Sequence, residues 1–167
     1  LLQNQWINRK RGTILLSPFV ISKGQNVLLG LEKDQFILEA FREAQKVTTI
    51  GRSMRLGCVI YKGKTILAKG HNCANANIKI PMKYLRWKGS LHAEVAAIMN
   101  AMKKGKNLSG ATLLVIRINK DNQFRIAKPC QYCELAIKEL TPIRKVQYSI
   151  NEFPYIRKER IHHVICK

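Results

Sequence analysis

Two short motifs decide most of what this chain can fold into, because they require the starts of two distant helices to meet at one point. His92-Ala93-Glu94 opens one predicted helix, and Pro129-Cys130-Gln131-Tyr132-Cys133 opens another. One imidazole and two thiolates form the donor set of a catalytic zinc site, which keeps three protein ligands and leaves a fourth position for water. A Cys-x-x-Cys spacing lets both sulfurs converge on one ion across a single helical turn, at a helix N-terminus where anions are stabilised. Glu94 lies two residues past the histidine and points elsewhere, which frees it to relay protons beside a zinc-acidified water. Such a site releases a ring amine as ammonia and leaves a carbonyl in its place. Chance supplies roughly 0.24 His-x-acid patterns in a chain of this composition but only roughly 0.004 Pro-Cys-x-x-Cys patterns, so the cysteines carry the weight. A redox dithiol or a closed structural zinc site is the competing reading of the pair. Against a closed four-ligand site, Cys58, Cys73 and Cys166 supply no second Cys-x-x-Cys. The competing reading of Glu94 is an ordinary exposed acid early in a helix.

The hydrophobic pattern around the motifs gives the frame. From Asp34 a helix places Phe36, Ile37, Ala40, Phe41, Ala44 and Val47 on one face, with Glu39, Arg42, Glu43 and Lys46 on the other. Residues 56–61 and 65–69 read as strands joined by a tight turn at Lys62-Gly63-Lys64. A long polar loop follows over 70–91. The helix over 91–104 is apolar nearly all round and so belongs in a buried position, with Gly105 at its end. Residues 112–118 form an apolar run typical of a strand covered on both faces. A third helix runs from Pro129 to about Leu140, and residues 145–150 form a further strand. This order predicts an α/β fold of three layers, α/β/α, around a mixed central sheet. Residues 1–32, with Arg9-Lys10-Arg11 and an apolar stretch over 13–21, read as a basic N-terminal extension with room for one added strand. Residues 33–167 read as the main domain.

The segment 56–150 resembles the cytidine deaminase superfamily. It is most similar to the branch holding deoxycytidylate deaminases, tRNA adenosine deaminases and polynucleotide cytosine deaminases. The two motifs carry the match, with Gly110-Ala111-Thr112-Leu113 and Ile143-Arg144-Lys145-Val146 ahead of the later strands in support. The resemblance implies the cytidine-deaminase-like fold, Zn2+ held by His92, Cys130 and Cys133, and proton transfer by Glu94. It also implies substrate contacts from Ala93 and from Asn72 in Gly70-His71-Asn72; by itself Asn72 reads as a turn residue. Three departures stand out. Lys128 precedes the Pro-Cys pair, where a small polar or acidic residue is common. The segment 117–128 is longer and more basic than in compact members. After Ile150 neither a long helix nor a clear fifth strand follows.

Charge bears on the substrate. Lys and Arg number 30 against 10 Asp and Glu, a net +20, which points to a polyanionic partner, nucleic acid first and a membrane surface or the ribosome as the blander reading. The rings of Tyr84, Trp87, Phe153 and Tyr155 are candidates to stack on bases, at ~1–3 kcal/mol per base. Lys83, Arg86, Lys88, Arg157 and Lys158 are candidates to follow the nucleic-acid backbone. The alternative is that these rings pack onto the domain and the cations are merely solvated. His71 reads as structural in preference to substrate-binding. No apolar run approaches the ~20 residues needed to span a bilayer, so no membrane partner is expected. Leu1-Leu2-Gln3 does not read as a signal peptide, and five cysteines do not suit a disulfide framework, so an intracellular reducing compartment (cytoplasm, nucleoid or nucleus) is expected. The leading expectation is a zinc-dependent hydrolytic deaminase turning cytosine to uracil in single-stranded DNA or RNA. The alternatives are a deaminase of free deoxycytidylate, or a basic nucleic-acid-associated protein that keeps the zinc fold. A homo-oligomer is compatible with each.

Overall fold

A computed structural model describes residues 34–47, 54–74, 79–86, 90–152 and 155–162. The N-terminal extension, with its basic knot and added strand, lies outside the described residues.

Helix α1 spans Gln35–Gln45. Asp34 caps it, accepting from the Phe36 amide at 2.9 Å and the Ile37 amide at 3.4 Å, which satisfies two donors that a helix start leaves open. Strands β1 (Arg55–Lys62) and β2 (Thr65–His71) form the expected hairpin. Its turn puts Gly63 at φ 57, a region that glycine enters without strain. Helix α2 covers Ala93–Lys103, β3 covers Thr112–Ile118, β4 is Phe124–Arg125, and α3 covers Gln131–Leu140. Strands β5 (Lys145–Ser149) and β6 (Ile156–Arg160) are the last of the described elements.

The sheet runs β2-β1-β3-β5-β6, with β4 paired to β3. β3 and β5 are parallel; the other pairings are antiparallel, so the sheet is mixed. Side-chain alternation along β3 sorts the core into two layers. Leu113 and Val115 pack with α2 and α3, whereas Leu114, Ile116 and Ile118 pack with α1. The three-layer α/β/α expectation holds.

The structure adds two strands to those expected. β4 has two residues, too few to show a period. β6 is an edge strand, Ile-Arg-Lys-Glu-Arg, with the exposed cations Arg157 and Lys158 in succession, and charged edges carry no apolar alternation. Glu43 also differs from expectation: it is 4% exposed. Lys46 Nζ lies 2.6 Å from its carboxylate and His71 Nδ1 3.1 Å. Burial pushes this carboxyl up, but Lys46, His71 and Lys69 outweigh burial and hold it below the ordinary range. His71 thus has the structural partner expected of it.

One close approach seats the functional helix. Gly70 on β2 lies against α2: a Cβ there would meet the Ala96 carbonyl carbon at 2.8 Å and the Ala93 oxygen at 2.9 Å. No described helix is long and apolar enough to cross a membrane.

Candidate metal centre

α2 and α3 both begin at the edge of the sheet where β2 and β3 end. His92 and Cys130 occupy their cap positions in extended backbone, and neither side chain caps its own helix. Both are therefore available to face each other. Cys133, one turn into α3, is fully buried. His92 Nδ1 lies 3.5 Å from Cys130 Sγ and 3.3 Å from Cys133 Sγ. All three donor atoms fall within 4.8 Å of one another, the one such group of His, Cys, Asp or Glu among the described residues.

These spacings can be tested against the ion. Zinc bonds of about 2.3 Å to sulfur and 2.0–2.1 Å to nitrogen, at tetrahedral angles, hold N and S about 3.5 Å apart. The trio fits that geometry. A redox pair has no need of a third donor aimed at both sulfurs.

Proton sharing within the trio points the same way. A hydrogen bond from Cys133, with His92 adding to it and burial opposing, pulls the Cys130 thiol down to about 3. Cys133, as the donor in that pair and in a buried place, is pushed well up. The hydrogen bond to Cys130 raises His92 despite its burial. A thiolate is thus ready at neutral pH, and a soft divalent cation takes the place of the shared protons.

Glu94 is 2% exposed. Burial raises its carboxyl above the ordinary range, and its Oε2 has no hydrogen-bond partner among the described residues. That excludes the ordinary exposed acid. An unsatisfied buried polar group costs about 1–3 kcal/mol, so packing alone does not account for it. Glu94, His92 and Cys130 share the wall of a cavity of about 360 Å³. A larger groove of about 560 Å³ runs over β2 between α1 and α2, and holds none of the trio.

The remaining expected contacts separate into groups. Arg86 and Asn72 do line the cavity. Asn72, however, spends its amide on β1: Oδ1 accepts from the Leu56 amide and Nδ2 donates to the Met54 carbonyl, both at 2.7 Å. It acts as a staple for the cavity wall. The Ala93 side chain is fully buried in the core behind the cavity, not on its wall.

Lys83 and Tyr84 turn away from the cavity. Tyr84 is buried, and its hydroxyl donates to Glu139 Oε2 at 2.8 Å; Lys83 Nζ reaches the same oxygen at 2.5 Å. These contacts brace the short turn Met82–Tyr84 on α3. Tyr155 packs beside Phe124 in the α1-side cluster, with ring centroids 6.3 Å apart. Arg157 and Lys158 pair with Tyr148 and Gln147 on β5, and β6 carries them back from the end where the helices begin. None of these five lines the cavity. Trp87, Lys88 and Phe153 lie outside the described residues.

Two cations not singled out as contacts do reach the cavity wall: Arg117 and Lys128. Lys128 also pairs with Glu159 at 3.3 Å. Arg117 is the lone charge in the run 112–118, and that interruption was the signal available in the sequence.

Fold and trio together define a class, an α/β/α domain that builds a zinc site where two helix starts meet. Residues 31–150 match the family described as the cytidine and deoxycytidylate deaminase zinc-binding region, and the chain belongs to that family. Its cofactor is zinc, and His92, Cys130 and Cys133 are the residues that fit it. Among curated proteins none matches. Among solved structures, the dCMP deaminase of cyanophage S-TIM5 is 22% identical, with 72% of this chain and 83% of that chain covered and a TM-score of 0.52. Cytidine deaminase from Burkholderia pseudomallei is 16% identical, covering 75% and 90%, with a TM-score of 0.54. Cytidine deaminase from Mycobacterium tuberculosis is 14% identical, covering 78% and 90%, with a TM-score of 0.51. At these identities the likeness shows a shared fold.

Proposed function

We propose that this protein is a zinc-dependent hydrolytic deaminase that converts cytosine to uracil in single-stranded DNA or RNA. The observation that carries the reading is Glu94, a buried carboxyl with an unpartnered oxygen on the same cavity wall as the zinc trio. Zinc, when bound, acidifies a water to a pKa of about 7 and so supplies a nucleophile at neutral pH. Glu94 accepts one proton of the water and delivers it to the ring nitrogen, then takes the proton of the new C4 hydroxyl and delivers it to the departing amine. A bond forms between the water oxygen and C4, the bond from C4 to the exocyclic nitrogen breaks, and ammonia leaves. The burial that raises Glu94 brings it closer to the range in which it both takes and gives a proton near neutrality. Asn72 holds the cavity wall in place through β1. The polynucleotide assignment rests on the net +20 charge and on Arg86, Arg117 and Lys128 around the cavity.

Free deoxycytidylate is the second reading. The cavity volume suits one nucleotide, and Lys83, Tyr84, Arg157 and Lys158 do not extend a strand-binding track from it. A side-by-side product assay on single-stranded DNA, RNA and deoxycytidylate, with zinc-loaded protein, decides between them. Product from the oligonucleotides is expected. Product from the mononucleotide alone overturns the leading reading, and zinc-loaded protein inert on all three substrates overturns both.

A further inference from the structure

We infer that Arg117 is a specificity-determining residue, a guanidinium in the cavity wall that holds a phosphate oxygen of the substrate. The inference rests on the deaminase reading above and deepens it by naming the group recognised beyond the base.

Position comes first. β3 is a central strand, and its residues alternate between the α1 layer and the layer of α2 and α3. Leu113 and Val115 point to the latter, so the next residue in that series is Arg117. An apolar side chain belongs there by packing. Arginine stands there instead, near the end of the strand where both functional helices start.

Its environment comes second. Among the described residues two buried side-chain polar atoms lack a hydrogen-bond partner: Glu94 Oε2 and Arg117 Nε. Both residues line the same cavity. Two residues that each keep an unspent hydrogen-bonding atom thus share the lining of one cavity, which suits a ligand that is polar at two points. The cavity also has a sign. Arg86, Arg117 and Lys128 line it, and among the described lining residues Glu94 is the one carboxyl. A guanidinium fork matches a phosphate in shape and charge. The phosphate has two sources, the monoester of a free nucleotide or a diester of a strand, and the same residue serves either.

The test compares zinc-loaded wild type with Arg117→Gln and Arg117→Lys on deoxycytidylate, deoxycytidine and a short oligodeoxynucleotide holding one cytosine. In R117Q, selectivity for phosphate-bearing substrate over deoxycytidine is expected to fall about 10- to 100-fold, the weight of one charge-assisted hydrogen bond. R117K, which keeps charge and loses the fork, should lie between. A fall confined to deoxycytidylate assigns the contact to a monoester, and one confined to the oligonucleotide assigns it to a diester. An equal loss on deoxycytidine, or no loss on any substrate, overturns the inference.

A binding arm separates this from failure of the deaminase reading itself. If wild type turns over nothing, thermal shifts by deoxyuridylate and deoxyuridine still report the phosphate contact. The larger shift from deoxyuridylate should vanish in R117Q; equal shifts in wild type refute the contact. Arg117→Met should keep or raise the unfolding midpoint, because a buried unpaired donor disappears. A drop in midpoint would mark Arg117 as a structural residue.

Discussion

Replacing Gly70 by alanine tests whether the seat of α2 on β2 sets the metal centre. The added Cβ lands 2.8 Å from the Ala96 carbonyl carbon and 2.9 Å from the Ala93 oxygen. Both are backbone atoms of a helix buried on nearly every side, so no side chain can swing away. Comfortable separations are about 3.5–4.0 Å, which at these two contacts requires α2 to withdraw by about 0.6–1.2 Å, and the Ala97 amide nitrogen lies closer still. Overpacking of this kind costs about 1–3 kcal/mol. In a domain of this size each kcal/mol moves the unfolding midpoint by about 2–4 °C, so a fall of about 2–12 °C is expected. The displacement also reaches the site. His92 stands at the cap position of α2 while both cysteines stand at the start of α3, and metal bonds tolerate only about 0.2 Å. Zinc affinity should therefore fall about 10- to 100-fold, as when supporting groups around a metal site are removed. Far-UV circular dichroism gives the midpoint, and competition with a chromophoric chelator gives the affinity. Gly63→Ala is the control: Gly63 sits at φ 57 with no atom within 4 Å of a new Cβ, far along the hairpin. It should lower the midpoint through backbone strain and leave zinc affinity alone. If Gly70→Ala binds zinc as tightly as wild type, the claim that this contact positions His92 is wrong.

Four further outcomes rest on the same geometry. Glu94→Gln should lower kcat by about 10²- to 10⁴-fold with zinc content unchanged, and retained turnover would reject its role. Because burial raises the Glu94 carboxyl, the folded protein holds that proton more tightly than the unfolded chain. Its contribution to stability is therefore present at pH below the ordinary carboxylate value and is lost as pH rises through the raised one. In zinc-stripped protein, the stability advantage of Glu94→Gln should widen over that window, toward about 1–3 kcal/mol; a gap independent of pH contradicts the buried carboxyl. Zinc binding should release about one to two protons near neutral pH, since Cys133 must give up a proton and His92 is raised while Cys130, at about 3, has none to give. Affinity should accordingly rise with pH, and calorimetry in buffers of differing ionisation heat measures the count; zero protons refutes the assignment. Tyr84→Phe should cost about 0.5–1.5 kcal/mol of stability through the lost bond to Glu139 and leave kcat/KM intact. A selective loss on polynucleotide would return Tyr84 to the substrate.

Much of the fold was legible because the apolar residues repeat with the right periods. The face of α1, the hairpin and β3 are each long enough to show one. β4 and β6 were not legible, since two residues carry no period and a charged edge strand buries little. The donors that fit zinc were legible because metal chemistry admits few residue types at few spacings, and the structure places Glu94 on the same cavity wall. The lining of the cavity was legible only in part: Arg86 and Asn72 reach it, and five other candidates do not. Tyr84, Lys83, Tyr155, Arg157 and Lys158 have the composition of a strand-binding surface, yet composition gives no direction.

The amino-acid sequence by itself determined the donors, the acid and the layers, because each depends on residue identity and on spacing along one element. Tertiary structure alone decided which polar groups face the cavity. Glu139, fifty-five positions from Tyr84, claims its hydroxyl, and the backbone of β1 claims the amide of Asn72. Arg117, one interruption in an apolar run, finds itself beside the metal centre with a donor unspent. Hydrogen bonds and ion pairs form between neighbours in space, and those neighbours exist only once the sheet order has brought distant segments together.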